Sequence, residues 1–314
     1  TNSDPLFVNK GGANATDYKI LTGSPAIDSG VDMPNNGGFD YWSNSLPGST
    51  NFDIGAQEFN TNTWNGASSS SWATPANWSR NDIPNSTDEV IISNVTNDPV
   101  IEATTGADVN NLTIDSEASL TISSGGSLIV NGSSSGNITY NRNLATTNWY
   151  LVSSPVVGET YDDAYVTANG ITSGTQNTNS RGIAPYVTTD DSWDYMLAGE
   201  TATFSAGNGY TVKRSSVGTV SFTGTLNVDN TGVDVVLSSD GNRFNLLGNP
   251  YTSHISSATF LANEDAVSDT QTLWVWDQGS GSGAYEVKTL ADPIVIAPAP
   301  VSYTHLTLPT IYSV

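Results

Sequence analysis

The sequence predicts an all-β protein, and three observations carry that expectation. Asp, Glu, Lys and Arg make up only 13% of the 314 residues, and Ser, Thr, Asn and Gly take over the surface, a mix that favours turns and short strands over helices. Apolar and polar residues alternate in short runs, as in LTI at 112–114 and 120–122 and LIV at 128–130, the two-residue period of a half-buried strand. Clusters of Gly, Asn, Asp and Ser separate those runs and turn the chain.

Length and charge limit the function classes. A chain of 314 residues exceeds the roughly 100–200 residues of one domain, so two or more modules are expected. Nine Lys and Arg stand against 31 Asp and Glu, a formal net charge of −22. Such a surface repels phosphate backbones and anionic bilayers, so nucleic acid is not an expected partner. No run approaches the roughly 20 apolar residues that span a bilayer, so no membrane insertion is expected. Cysteine is absent, which removes disulfides and thiolate metal sites. The one histidine before residue 301 is His254 in GNPYTSHISS. That stretch contains no G-x-S-x-G elbow, and a single histidine makes neither a Ser–His nucleophile nor a histidine zinc site an expectation.

Residues 1–60 open with DPLFVNKGGANATDYKILTGSPAIDSG and close with DIGAQEF. Tyr18, Ile20 and Leu21 read as a short apolar strand, Gly23 and Pro25 as a turn, and Ala26–Ile27 as a segment docking back. Asp28 and Asp53 are expected to cap loops by accepting backbone N–H bonds, in preference to catalysis or metal binding. The succession D-P-x-F, G-S-P-A-I-D-x-G and D-I-G-A-x-E resembles the closing rungs of right-handed parallel β-helix proteins. That resemblance implies that residues 1–60 are the C-terminal end of such a helix.

Residues 61–140 begin with TWNGASSSSWATPANWSRNDIPNSTDEVIIS at 63–93. Trp64, Trp72 and Trp78 follow neither a helical nor a strand period, so they are expected to plug the end of a β stack. The alternative reading is a platform on which sugars stack. The W-x-G and P-x-x-x-D-x-V-x-I elements resemble the segment that opens many repetitive extracellular β-helical proteins. An eight-residue repeat follows in NLTIDSEA, SLTISSGG and SLIVNGSS. It places Leu112, Leu120 and Leu128 in one expected column and Ile114, Ile122 and Val130 in another, a short β-solenoid ladder acting as scaffold.

Residues 141–297 carry longer strands and are expected to form an antiparallel β-sandwich. Val233, Val235 and Leu237 alternate before Asp240–Gly241, which predicts a hairpin returning through Phe244 and Leu246. NWYLVSSP and RFNLLGNP share an aromatic, a Leu and a closing Pro, which suggests two similar corner strands. Two acidic loops, ETYDDAY and TTDDSWDY, offer Asp162, Asp163, Asp190, Asp191 and Asp194 as oxygen ligands of the kind that hold Ca²⁺. Trp193, in the second loop, is a candidate to face a sugar ring. The competing reading of the five aspartates is solvated turn carboxylates. No D-x-[DN]-x-[DN]-G loop occurs, so no EF-hand is expected.

Over 60–297, the stretches NRNLATTNWYLVSSPVVGETYDD, RGIAPY, FTGTL, NLLGNPY and TLWVWD resemble a module of large secreted proteins of the Bacteroidetes type. Members typically end in a sorting domain for type IX secretion, so the resemblance implies export and surface display. From Val301 the chain reads VSYTHLTLPT, which is similar to a translated sequencing adapter. Residues 298–314 are therefore expected to be a non-native tail, and the chain a fragment extending further at both ends. The functional expectation is a secreted or cell-surface, non-catalytic, adhesin-like protein contacting polysaccharide or extracellular matrix. The alternative is an accessory region of a larger β-helix enzyme that degrades polysaccharide by lyase or glycosidase chemistry.

Overall fold

The computed structural model describes residues 3–21, 23–33, 36–42, 46, 51–228, 232–238, 240–241, 244–263, 272–277, 284–291, 295–296 and 303–309. Strands dominate, and the protein is all-β. Among the described residues nine strands lie between 61 and 144: β1 (Thr61–Trp64), β2 (Glu89–Ile92), β3 (Val100–Ile101), β4 (Gly106–Val109), β5 (Asn111–Ile114), β6 (Thr121–Ile122), β7 (Ser127–Val130), β8 (Ser134–Ser135) and β9 (Asn137–Leu144). Every pairing among them is parallel, in the orders β1-β2-β5-β8, β3-β6-β9 and β4-β7.

The register corrects the eight-residue ladder. Val90 lies opposite Leu112, Ile92 opposite Ile114, Ala107 opposite Leu128 and Ile101 opposite Ile122. Leu112, Leu120 and Leu128 therefore do not stack on one another. They stand on three sides of one coil, and the stacking partner is a whole coil away. A parallel neighbour requires a crossover of a dozen residues or more, and an eight-residue step holds only a strand and a turn. The inward direction does agree with the pattern: Leu112, Leu120, Leu128, Ile114, Ile122 and Val130 are all buried. Gly136 ends the last coil at φ +86°, where a Cβ would sit 2.6 Å from the Ile114 carbonyl oxygen.

In the second module β10 (Tyr150–Val152), β11 (Val156–Val157), β12 (Thr160–Tyr161), helix α1 (Asp163–Ala168), β13 (Ile183–Val187), β14 (Ser192–Trp193), β15 (Ala202–Thr203), β16 (Tyr210–Val212) and β17 (Gly218–Leu226) pair antiparallel. The expected boundary between 140 and 141 falls inside β9. One edge of β9 joins β6 in parallel, and the other joins β17 antiparallel with Tyr140 opposite Phe222. One hydrophobic core accordingly runs from Trp64 to Leu226. Inside it Arg142 is 2% exposed, its guanidinium 5.9 Å from the Tyr150 ring centroid, and burial pushes its pKa down to about 10.

Beyond it, β18 (Phe244–Leu247), β19 (Ile255–Ser256), α2 (Ser257–Asn263), β20 (Thr272–Asp277), β21 (Ala284–Thr289), β22 (Val295–Ile296) and β23 (Tyr303–Pro309) surround a smaller core of Leu247, Leu261, Leu273 and Val275. Strand order there is β18-β23-β20-β21, so backbone of the adapter-like segment pairs with β18 and β20. The expected hairpin at 233–249 does not form. Residues 232–238 carry no strand and Val236 is 95% exposed. The Asn245 side chain meets the backbone of Ser238 instead, accepting from its N–H and donating to its C=O. The two corner segments touch: Ser153 Oγ donates to the Asn249 carbonyl at 3.0 Å.

Residues 3–59 contain no strand among the described residues, which corrects the apolar strand at Tyr18–Leu21. Asp17 accepts from the Asn14 N–H at 2.8 Å and a 3₁₀ turn forms over Ala15–Tyr18. That turn leaves Tyr18 and Leu21 exposed and only Ile20 inside, with Ala26 and Phe59. The loop-capping aspartates behave as expected. Asp53 accepts from the Asp28 and Phe59 N–H groups, and Asp28 from that of Asn51.

Burial raises the pKa of Asp53, Asp88 and Glu159 above the ordinary carboxylate value by desolvating their charged forms, more than their hydrogen bonds lower it. A raised carboxylate binds its proton more tightly folded than unfolded, so stability rises as pH falls through the folded pKa. Self-repulsion from the net charge of −22 acts in the same direction. The melting temperature is expected to be higher at pH 5 than at pH 8. A lower value at pH 5, by scanning calorimetry, would contradict this reading of the three carboxylates.

Candidate functional site

The three N-terminal indoles form one sealed cluster. Trp64, Trp72 and Trp78 are 0–1% exposed. Trp78 meets Trp64 edge to face at 4.9 Å and Trp72 at 4.6 Å. Their ring faces are used by one another, which overturns the sugar-platform alternative and leaves the plug. Trp64 Nε1 donates to the Asn97 carbonyl and Trp78 Nε1 to that of Trp72. Large apolar rings with polar tips suit such an end position, because a parallel stack has an open core at its end.

The five aspartates are not brought together. Asp162 is the N-cap of α1, accepting from the Tyr165 N–H at 2.8 Å. Asp163 pairs with Arg181 at 3.2 Å and accepts from the Gly199 N–H. Asp190, Asp191 and Asp194 are exposed around the β13–β14 turn, where Asp191 has φ +49° and accepts from the Tyr186 hydroxyl at 3.1 Å. Among the described residues no three His, Cys, Asp or Glu side chains converge to hold a metal. Adjacency in sequence does not converge these carboxylates, because cap, ion-pair and turn duties point them apart.

Trp193 is different. It lies directly across from Tyr186 in the β13–β14 pair, ring centroids 5.3 Å apart. Facing this hairpin is the outer surface of β20 and β21. Leu273 and Val275 point into the small core, so Trp274 and Trp276 take the opposite face of β20. Tyr285 lies across from Trp276, ring centroids 4.9 Å apart, and is 48% exposed.

Two adjoining cavities result. The first, about 230 Å³, lies between Tyr186, Trp193, Phe244, Leu246, Trp274 and Tyr285. The second, about 340 Å³, shares Trp193 and Tyr285 and continues past Trp276 to Trp149 and Tyr195. Trp149 and Tyr195 are themselves in ring contact at 5.6 Å. The groove is thus walled largely by partly exposed aromatic rings, those of Tyr186, Trp193, Trp276 and Tyr285 held by strand pairing, and Asp191 accepts from the Tyr186 hydroxyl. Burial and that neighbour push the Tyr186 hydroxyl pKa up to about 12, so it stays protonated and donating. Among the described residues no Asp or Glu lines either cavity.

Trp193 was legible as a candidate; Trp149, Tyr186, Tyr195, Trp276 and Tyr285 were not. The available signal is aromatic spacing: Trp274 and Trp276 stand two apart, which puts them on one face of β20, and Trp193 and Tyr195 have the same spacing, although β14 ends at Trp193.

Residues 63–135 match a family model described as a domain of unknown function (DUF8693), a stretch covering the indole plug and the parallel coils through β8. None of the curated proteins and none of the solved structures matches the chain. Among the described residues no helix is long and apolar enough to cross a membrane.

Proposed function

We propose that the chain is a secreted or cell-surface, non-catalytic, adhesin-like protein whose parallel coils, a short β-solenoid, carry a sandwich-like module that binds glycans in the aromatic groove. The observation supporting this reading is the face formed by Trp193, Tyr285, Trp276 and Trp149. Flat rings presented side by side along a groove suit the apolar C–H faces of pyranose units, while tyrosine hydroxyls and indole N–H groups meet the sugar hydroxyls. Most glycosidases cleave with two carboxylates flanking the bond, and among the described residues the two cavity walls are aromatic and aliphatic rather than acidic, which favours binding over cleavage.

The test is affinity electrophoresis on a panel of soluble polysaccharides, with reducing-sugar release measured in parallel. The wild-type chain is expected to be retarded by at least one polymer without releasing sugar. Trp193→Ala and Tyr285→Ala are each expected to weaken that binding about tenfold, the loss of roughly 1.4 kcal/mol, with melting temperatures near the wild-type value. Retardation unchanged in both variants, or none by any polymer, would sink the proposal.

A further inference from the structure

A third cavity, about 430 Å³, prolongs the groove beyond Trp149 and Tyr195, which line it together with Arg181, Lys213 and the loop 172–177. Its wall changes character. Thr172, Ser173, Thr175, Gln176 and Asn177 replace the aromatic rings of the first two cavities. Lys213 Nζ stands 5.6 Å from the Trp149 ring centroid, and among the described residues no carboxylate lies within 4.0 Å of it. Arg181, in contrast, is held by Asp163 and by the carbonyls of Thr178 and Asn179.

The charge distribution is uneven in a telling way. The chain has 31 acidic residues and nine basic ones, yet among the described residues no Asp or Glu lines this cavity or the other two, and two of the nine cations, Arg181 and Lys213, line this one. The Asp163 carboxylate beside this wall is taken by the ion pair with Arg181, which leaves the Lys213 ammonium as the cation of the cavity that no carboxylate among the described residues holds within 4.0 Å.

We infer that this cavity is an acidic-sugar subsite, which takes a saccharide unit bearing a carboxylate or a sulfate while neighbouring units lie along the aromatic rings; this rests on the groove being a glycan site. The Lys213 ammonium is a compact charge with three donors on a flexible stem. It suits an anionic substituent whose position shifts with linkage, and the Thr, Ser, Asn and Gln groups meet the remaining hydroxyls. The cation–π contact with Trp149 holds the ammonium at the junction between the aromatic and polar parts of the groove.

Isothermal titration of the whole chain with polygalacturonate, a sulfated galactan and a neutral β-glucan tests this. One of the two charged polymers is expected to bind at least tenfold tighter than the neutral one, and which of them does so separates carboxylate from sulfate recognition. Lys213→Gln is expected to remove that advantage, bringing the charged polymer down to the affinity of the β-glucan, whereas Lys213→Arg retains most of it. Charged-polymer affinity unaltered in Lys213→Gln, or tightest binding to the neutral polymer, would overturn the subsite. Trp193→Ala then separates the two ideas. If it weakens every polymer that binds, the groove stands and only the acidic subsite falls; if it weakens none, the glycan reading falls as well.

Discussion

Trp78→Ala is expected to destabilise the protein by about 3–5 kcal/mol, the range for deleting a fully buried large aromatic side chain, and to lower the melting temperature by roughly 10 °C. Trp78 is the middle ring of the plug, touching Trp64 on one side and Trp72 on the other. Its removal opens a void between two indoles that have no other aromatic partner within the cluster. Each edge-to-face contact is worth about 0.5–1.5 kcal/mol beyond area burial, and the Nε1 bond to the Trp72 carbonyl goes too. Because the core is continuous from Trp64 to Leu226, the loss should be read out by every probe of the first two modules at once. Trp78→Phe keeps ring contact without the N–H and should fall between. A Trp78→Ala protein that melts like wild type would show that the plug is dispensable.

Asn77→Leu is expected to cost a similar amount, although it creates no void. The side chain is 0% exposed and makes four bonds: Oδ1 accepts from the N–H groups of Ser68 and Ser69, and Nδ2 donates to Ser69 Oγ and the Ser71 carbonyl. Leucine keeps the branched skeleton with bulkier methyl groups and satisfies none of these groups, and a buried polar group left without a partner costs about 1–3 kcal/mol. With two backbone N–H groups stranded, a total of about 3 kcal/mol or more is expected from denaturant unfolding. Asn77→Asp keeps the acceptor bonds and loses the donors, so it separates the two halves of the network. If Asn77→Leu unfolds at the wild-type denaturant midpoint, the loop 68–71 is not held by this side chain.

These two positions differ in how legible they are in the sequence. The three tryptophans read as a plug because their spacing fits no single strand face, and a parallel stack has an open end to be closed. Asn77 carries no such signal, since an asparagine in a Ser-rich loop has no pattern that separates a buried hub from a surface turn. The L-x-[IV] runs identified inward-facing pairs correctly, because alternation within a strand is a local property of the pleat. They misassigned the stacking, since which strands lie side by side depends on how far the chain travels before it returns. The hairpin at 233–249 failed for a related reason: alternation predicts a strand only where a neighbouring edge accepts it, and Asn245 takes the backbone of Ser238 instead.

The candidate site divides in the same way. Trp193 stood out beside Asp191 and Asp194, but the carboxylates proposed for Ca²⁺ were separated by their own hydrogen bonds and ion pairs. The groove was built by Trp149, Trp276 and Tyr285, which come from segments far apart in the chain.

What the sequence by itself determined was the all-β class, the inward alternation, the Trp plug and the loop-capping roles of Asp28 and Asp53, because each is set by residues within a few positions of one another. Only the tertiary structure decided the coil as the stacking unit, the single core through β9 and the aromatic groove. Each of those is a meeting of distant segments, and neither periodicity nor composition encodes where a chain that has turned away comes back.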